Sequence, residues 1–324
     1  MDTSRLRRWM PRPNCTKKLT WTIDHGLLSG SAYYNGINTW DTANTYSNGW
    51  SEKVVGKALK TYAIPREKVV IMTKCFFHVP DDGAPWNPGM ESIRGGEDYV
   101  NQYGLSRSAI FTAVDASLKR LDTDYIDLLR IHRYDTNTPP EETMQAFHYL
   151  GALHRCIVQL QHIATANNWS KFVSMQNHYS LLYREEERET IPYCKATGVG
   201  LIPWPPLARG HLARSLSDEA PTARGGFELN AEEAGKLGHP IFELGFTSMD
   251  RAIIKRVQEI TEKKGWSTAT VGLAWVNAKV DSPIVGLGSV KRVKEGLEAA
   301  WKRLEVEEVA YLEELYTPRV IIGH

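Results

Sequence analysis

Short apolar runs alternate with segments of helical period along most of the chain. Ile37 to Trp40 has the pattern of a strand, and the segment after it puts Val54, Val55, Ala58 and Leu59 on one helical face, with Ser51 in the position of a cap. Val69 to Thr73 is a continuous run of buried-strand type. A helix is predicted from Ser106 through Leu121, and a strand over Tyr125 to Ile131. Thr138, Pro139 and Pro140 followed by Glu141 and Glu142 open another helix, with a cap, a proline in the first turn and carboxylates at the positive end of the helix dipole. Phe172–Met175, Val199–Ile202 and Ser282–Val285 are three further strand patterns with helices between or after them. Strands that alternate with helices in this way predict parallel strands with crossover helices. No interior linker interrupts the alternation, so residues 1–324 are expected to form a single domain. The Gly/Pro-rich stretch from Cys75 to Gly104 is too long for a simple connector and predicts a lid or binding loop.

Composition narrows the functional classes. With 42% hydrophobic residues among 324, the chain can bury a sizeable core. Lys and Arg number 39 against 38 for Asp and Glu, a net charge of +1 that gives no footprint for nucleic acid or for an acidic partner. Cys15, Cys75, Cys156 and Cys194 form no CxxC pair and no regular framework, which predicts reduced thiols in a cytoplasmic protein, and no metal is expected. No apolar run is long enough to span a bilayer. The basic start lacks the apolar core of a secretory signal, and Pro11 and Pro13 would break the amphipathic helix of a transit peptide.

The candidate chemistry lies where the apolar runs end. Asp41, Lys74, His132, Gln176 with Asn177, Trp204, and Gly286 to Ser289 close successive runs. In a barrel of parallel strands all these ends share one face, which is where such folds build their active sites. One polar residue after a strand is ordinarily a loop anchor. An acid, a lysine and a histidine on one face form a set with catalytic potential.

Three motifs carry a resemblance to a known family. Gly36 to Gly49, with Asp41 and Tyr46 five residues apart after a strand, resembles the first signature of the aldo-keto reductases. Ser117 to His132 resembles the second, and Pro203 to Gly210 resembles the cofactor segment of the seventh strand. The similarity spans about Leu27 to Ala300 and is strongest toward aryl-alcohol-dehydrogenase-like members and the potassium-channel β-subunit-like branch. It implies an α/β fold of the (β/α)8 barrel type and reduction of an aldehyde or ketone with NADPH. The expected partner is therefore a small-molecule carbonyl substrate, with no nucleic acid and no membrane. By resemblance Tyr46 gives the proton, Lys74 favours its ionisation, Asp41 holds Lys74, and His132 orients the substrate carbonyl. Gln176 is implied as the partner of the nicotinamide carboxamide and Trp204 as the aromatic stacked on the nicotinamide, with Pro205, Leu207 and Arg209 in the cofactor loop. There is no GxGxxG after a strand; Gly286, Ser289, Lys291 and Arg292 instead fit a phosphate site at a helix N-terminus, and Arg292 would meet a 2′-phosphate.

Departures from the family keep a second class open. The fifth strand has room for no more than Gly151 to His154, which predicts an incomplete barrel, open or distorted between the fourth and sixth strands. Leu19 to Asp24 is a weak substitute for the first strand, residues 1–20 are atypical, and Pro205 removes a hydroxyl and a backbone N–H beside Trp204. The alternative to an enzyme is a non-catalytic protein, either a degraded reductase or a cofactor-binding regulatory subunit.

Overall fold

The computed structural model describes residues 20–22, 26–80, 99–150, 157–216 and 247–321. Within it the chain groups into two compact units, Thr20–Gln176 with Gly286–Val290, and Asn177–Val285 with Lys291–His324. The first holds the strands β1 (Thr20–Thr22), β2 (Thr39–Asp41), β3 (Val70–Cys75), β4 (Leu128–Ile131) and β5 (Ser174–Met175). Its helices include α1 (Gly26–Tyr34), α2 (Trp50–Thr61), α3 (Arg107–Leu121), α4 (Pro140–Leu150) and α5 (Ile157–Ala166).

Strands β1 to β4 lie side by side in chain order, and every pairing among them is parallel. Each crossover therefore adds its strand on the same side as the one before, which is how a barrel winds and not how a doubly wound sheet does. The weak first segment does form a strand: Thr20, Trp21 and Thr22 pair with Thr39, Trp40 and Asp41. The expected remnant of a fifth barrel strand at Gly151–His154 lies outside the described residues, as does most of the expected lid after Cys75.

A strand alternates its faces, so Trp40, Ile71, Leu129 and Ile131 turn one way and Asp41, Lys74 and Arg130 the other. The apolar set is buried, with Trp40 and Ile71 fully so. Helix α2 is tied to this sheet by a buried carboxylate. Glu52 accepts from Thr73 Oγ1 on β3 at 2.6 Å and from Arg120 Nε on α3 at 2.6 Å, joining three elements through one charge. Ser51 does not cap α2. The helix begins one residue earlier, after Gly49 in the left-handed conformation (φ 81°), and the Ser51 hydroxyl turns inward to Thr42 Oγ1 at 2.7 Å. Ser106 does cap α3, accepting from Ala109 N–H.

The second unit carries β6 (Gly200–Leu201), α6 (Thr190–Thr197), α7 (Ser248–Lys264), α8 (Thr268–Asn277) and α10 (Val306–Glu313). Helix α7 starts on a reciprocal cap between Thr247 and Asp250 and ends on left-handed Gly265. Strand β7 (Ile284–Gly286) ends and helix α9 (Val290–Ala299) begins in the segment Gly286–Val290, which groups with the first unit; the rest of both elements belongs to the second.

Helices α2 and α3 approach so closely at Gly56 that a Cβ there would stand 2.4 Å from the Leu121 carbonyl oxygen. Gly56→Ala is therefore expected to push the two helices apart and to cost about 1–3 kcal/mol, despite the higher helix propensity of alanine. Thermal unfolding followed by circular dichroism should show a lower Tm; a Tm equal to or above that of the parent chain would contradict this packing.

Candidate functional site

Parallel register decides which side chains meet. Lys74 on β3 is the register partner of Arg130 on β4, and Asp41 on β2 that of Met72, one pleat from Lys74. The segment after β2 is pinned to β3 by two backbone bonds, Thr42 N–H to Met72 O and Asn44 N–H to Lys74 O, and by the Asn44 amide donating to Phe77 O at 2.7 Å. Ser47, Asn48 and Gly49 then all take positive φ, a tight turn between Tyr46 and α2.

The four residues singled out after the strands come together. Lys74 Nζ donates to Asp41 Oδ2 at 2.8 Å and to Thr42 O at 2.8 Å, and lies 3.3 Å from the Tyr46 hydroxyl. The His132 ring meets the Tyr46 ring edge-on at 5.7 Å between centroids, and Phe77 contacts the same imidazole at 5.2 Å. Asp41 and Lys74 are buried, whereas Tyr46 and His132 remain partly accessible. Burial holds the Lys74 ammonium below its ordinary pKa, opposed by the Tyr46 oxygen and more weakly by the Glu52 carboxylate. The neighbouring Cys75 thiol is pushed up to about 12 by burial, so it is an inert thiol and no nucleophile.

Arg130 joins this group although no motif pointed to it. It is fully buried, forms an ion pair with Asp41 Oδ1, and donates from Nη1 to Gln176 Oε1 at 2.6 Å. Burial draws its pKa down to about 9. The one signal in the sequence is its spacing: Arg130 stands two residues before His132, so strand alternation turns both to the same face. Gln176, at the end of β5, is thereby linked to Asp41 through a single guanidinium.

The remaining predicted residues are described within their own elements. Asn177 is 4% exposed, and neither end of its side-chain amide has a hydrogen-bond partner among the described residues. The Trp204 indole lies parallel to His178 at 5.4 Å, and His178 stacks in turn on Tyr183 at 4.3 Å. Pro205, Leu207 and Arg209 follow in a loop where Ala208, Arg209 and Gly210 all have positive φ, and burial lowers the Arg209 pKa. Gly286 ends β7, Ser289 directly precedes α9, and Lys291 and Arg292 are exposed in its first turn. A cation-bearing helix N-terminus suits a phosphate, and a buried amide offers both a donor and an acceptor. Among the described residues no cluster of His, Cys, Asp or Glu could hold a metal ion, and no helix is long and apolar enough to cross a membrane.

Residues 30–317 match the aldo/keto reductase family. The chain is 48% identical to the aldo-keto reductase dtxS3 of Metarhizium robertsii, over 98% of this chain and 86% of that protein. It is 46% identical to a putative aryl-alcohol dehydrogenase of Schizosaccharomyces pombe, over 90% of this chain and 85% of that protein. Among solved structures, a thermostable aldo-keto reductase crystallised with the inhibitor epalrestat superposes with a TM-score of 0.64 at 24% identity, covering 90% of this chain and 86% of that one. With its barrel-type α/β fold and its parallel strands, the chain belongs to the aldo/keto reductase family of oxidoreductases, which use nicotinamide nucleotides.

Proposed function

We propose that the protein reduces an aldehyde or ketone to the alcohol with NADPH, and that Tyr46 is the proton donor. The observation that carries the reading is the Lys74 ammonium, held by Asp41 Oδ2 at 2.8 Å and placed 3.3 Å from the Tyr46 hydroxyl. When bound, the reduced nicotinamide supplies the hydride. The chain supplies the rest. A substrate carbonyl oxygen between Tyr46 and His132 would meet two hydrogen-bonding groups as negative charge develops on it. Tyr46 gives its proton to that oxygen, and the adjacent ammonium stabilises the phenolate left behind. Asp41 keeps Lys74 charged against the cost of burial and fixes the direction of its N–H bonds. Phe77, packed on the His132 ring, gives the site an apolar wall suited to an aromatic carbonyl, in line with the aryl-alcohol dehydrogenase name of the yeast relative.

The cofactor contacts are proposed residue by residue from the family resemblance. Gln176 serves the carboxamide, Trp204 the nicotinamide face, and Pro205, Leu207 and Arg209 the loop over the pyrophosphate. Gly286 and Ser289 meet the phosphate at the start of α9, with Lys291 and Arg292 toward the 2′-phosphate. Reduced, buried thiols at Cys75 and Cys194 are in keeping with a cytoplasmic setting.

Two outcomes test the reading. Tyr46→Phe should lower kcat for reduction of an aromatic aldehyde by roughly 10²–10⁴-fold while NADPH affinity stays near that of the parent, because the lost group acts on the transition state. Turnover close to the parent rate would remove Tyr46 from its role. The parent chain should bind NADPH more tightly than NADH, and Arg292→Ala should erase at least about tenfold of that preference, since a charge-assisted bond to phosphate contributes about 1.5–3 kcal/mol. Equal affinities for the two nucleotides, measured by quenching of tryptophan fluorescence, would contradict the NADPH assignment.

A further inference from the structure

We propose that Arg130 is a positioning residue that fixes which end of the Gln176 amide faces the cofactor. The proposal rests on the nicotinamide reading above and adds a residue to it. A guanidinium has five N–H donors and no acceptor, so an amide hydrogen-bonded to it can present only its carbonyl oxygen. Arg130 Nη1 reaches Gln176 Oε1 at 2.6 Å, which turns Nε2 to the other side. That nitrogen is a donor, and its complement is the carbonyl oxygen of a carboxamide. The reversed amide would offer an acceptor and would favour the carboxamide NH₂ end, a different rotamer of the nicotinamide group.

Arg130 is able to impose this choice because it is itself held. It is fully buried, and its ion pair with Asp41 Oδ1 anchors it to the carboxylate that also receives Lys74. A planar fork that spans two acceptors has its orientation set by them, which a single-point ammonium does not. The charged and titratable groups that surround this anchor are Lys74 and Cys75 on β3, Asp41 on β2, Tyr46 in the following turn, His132 beyond β4, and Glu52 from α2, itself paired with Arg120. None of these except Asp41 gives Arg130 a counter-charge, so the Asp41 to Arg130 to Gln176 chain is the path by which the β2 carboxylate and the β5 amide are kept in step.

The test compares two nucleotides that differ only in the nicotinamide end, NADP⁺ and 2′-phospho-ADP-ribose. Affinities are measured by titration calorimetry for the parent chain, Arg130→Met and Arg130→Lys, with thermal melts to establish that each variant is folded. Arg130→Met is expected to bind NADP⁺ about three- to tenfold more weakly, the value of one neutral hydrogen bond, and 2′-phospho-ADP-ribose as the parent does. Arg130→Lys, which keeps a donor-only cation, should fall between the two. Arg130→Gln is read in the same way where Arg130→Met does not fold. Equal weakening toward both nucleotides would mean a general structural role and would overturn the proposal, as would unchanged affinity for both. A parent chain that binds neither nucleotide would instead refute the cofactor reading on which the proposal stands.

Discussion

The Asp41 carboxylate between two buried cations is the interaction on which the rest of the site depends. Oδ2 receives Lys74 and Oδ1 receives Arg130, and all three groups are almost wholly removed from water. Each buried ion costs several kcal/mol of desolvation after relaxation, and an ion that loses its partner leaves about 3–5 kcal/mol uncompensated. A single carboxylate therefore supports two cations that stand side by side in the parallel register and would otherwise repel one another. The surplus of positive charge lies beside the Tyr46 hydroxyl, 3.3 Å from Lys74 Nζ. The same arrangement makes the carboxylate the demanding member: losing Asp41 would leave two buried cations without a counter-charge, whereas losing either cation leaves a matched pair.

The fold supplies the geometry in three separable ways. Strand register sets Lys74 beside Arg130 and Asp41 one strand away. Backbone bonds from Thr42 and Asn44 to β3 hold the segment that carries Tyr46, and the left-handed run Ser47–Gly49 then turns the chain into α2. Behind the sheet, Glu52 binds Thr73 and Arg120, which locks β3 against α2 and α3 so that Lys74 is carried on a rigid strand. The close approach at Gly56 belongs to this same backing layer.

Asp41, Tyr46, Lys74 and His132 were legible because each follows or ends an apolar run, and because their order along the chain matches a family signature. The strands themselves were legible as apolar runs, with shifted bounds: Tyr125–Ile131 narrows to Leu128–Ile131, while the run Val69–Thr73 extends as a strand over Val70–Cys75. Arg130 was not legible. It sits inside the run Leu128–Ile131, where an isolated charge reads as an interruption, and only its contact with Asp41 and Gln176 gives it a meaning. Ser51 was misread for a related reason. Helix propensity favours a hydroxyl at the cap, but the preceding turn already ends in left-handed Gly49, so the helix starts at Trp50 and the serine is used for packing against Thr42. The first strand was weak in pattern yet forms by pairing with β2, since ladder hydrogen bonds to a neighbour do not require strong side-chain alternation.

The most direct measurement of the central claim follows the hydride. Purified protein is given an aromatic aldehyde and NADPH deuterated at the transferable position of the nicotinamide ring, and the product is examined by mass spectrometry and proton NMR. The account predicts an alcohol that carries deuterium on the former carbonyl carbon, formed in proportion to the NADPH consumed. Nucleotide that is bound but not oxidised, or an alcohol without the label, would contradict it.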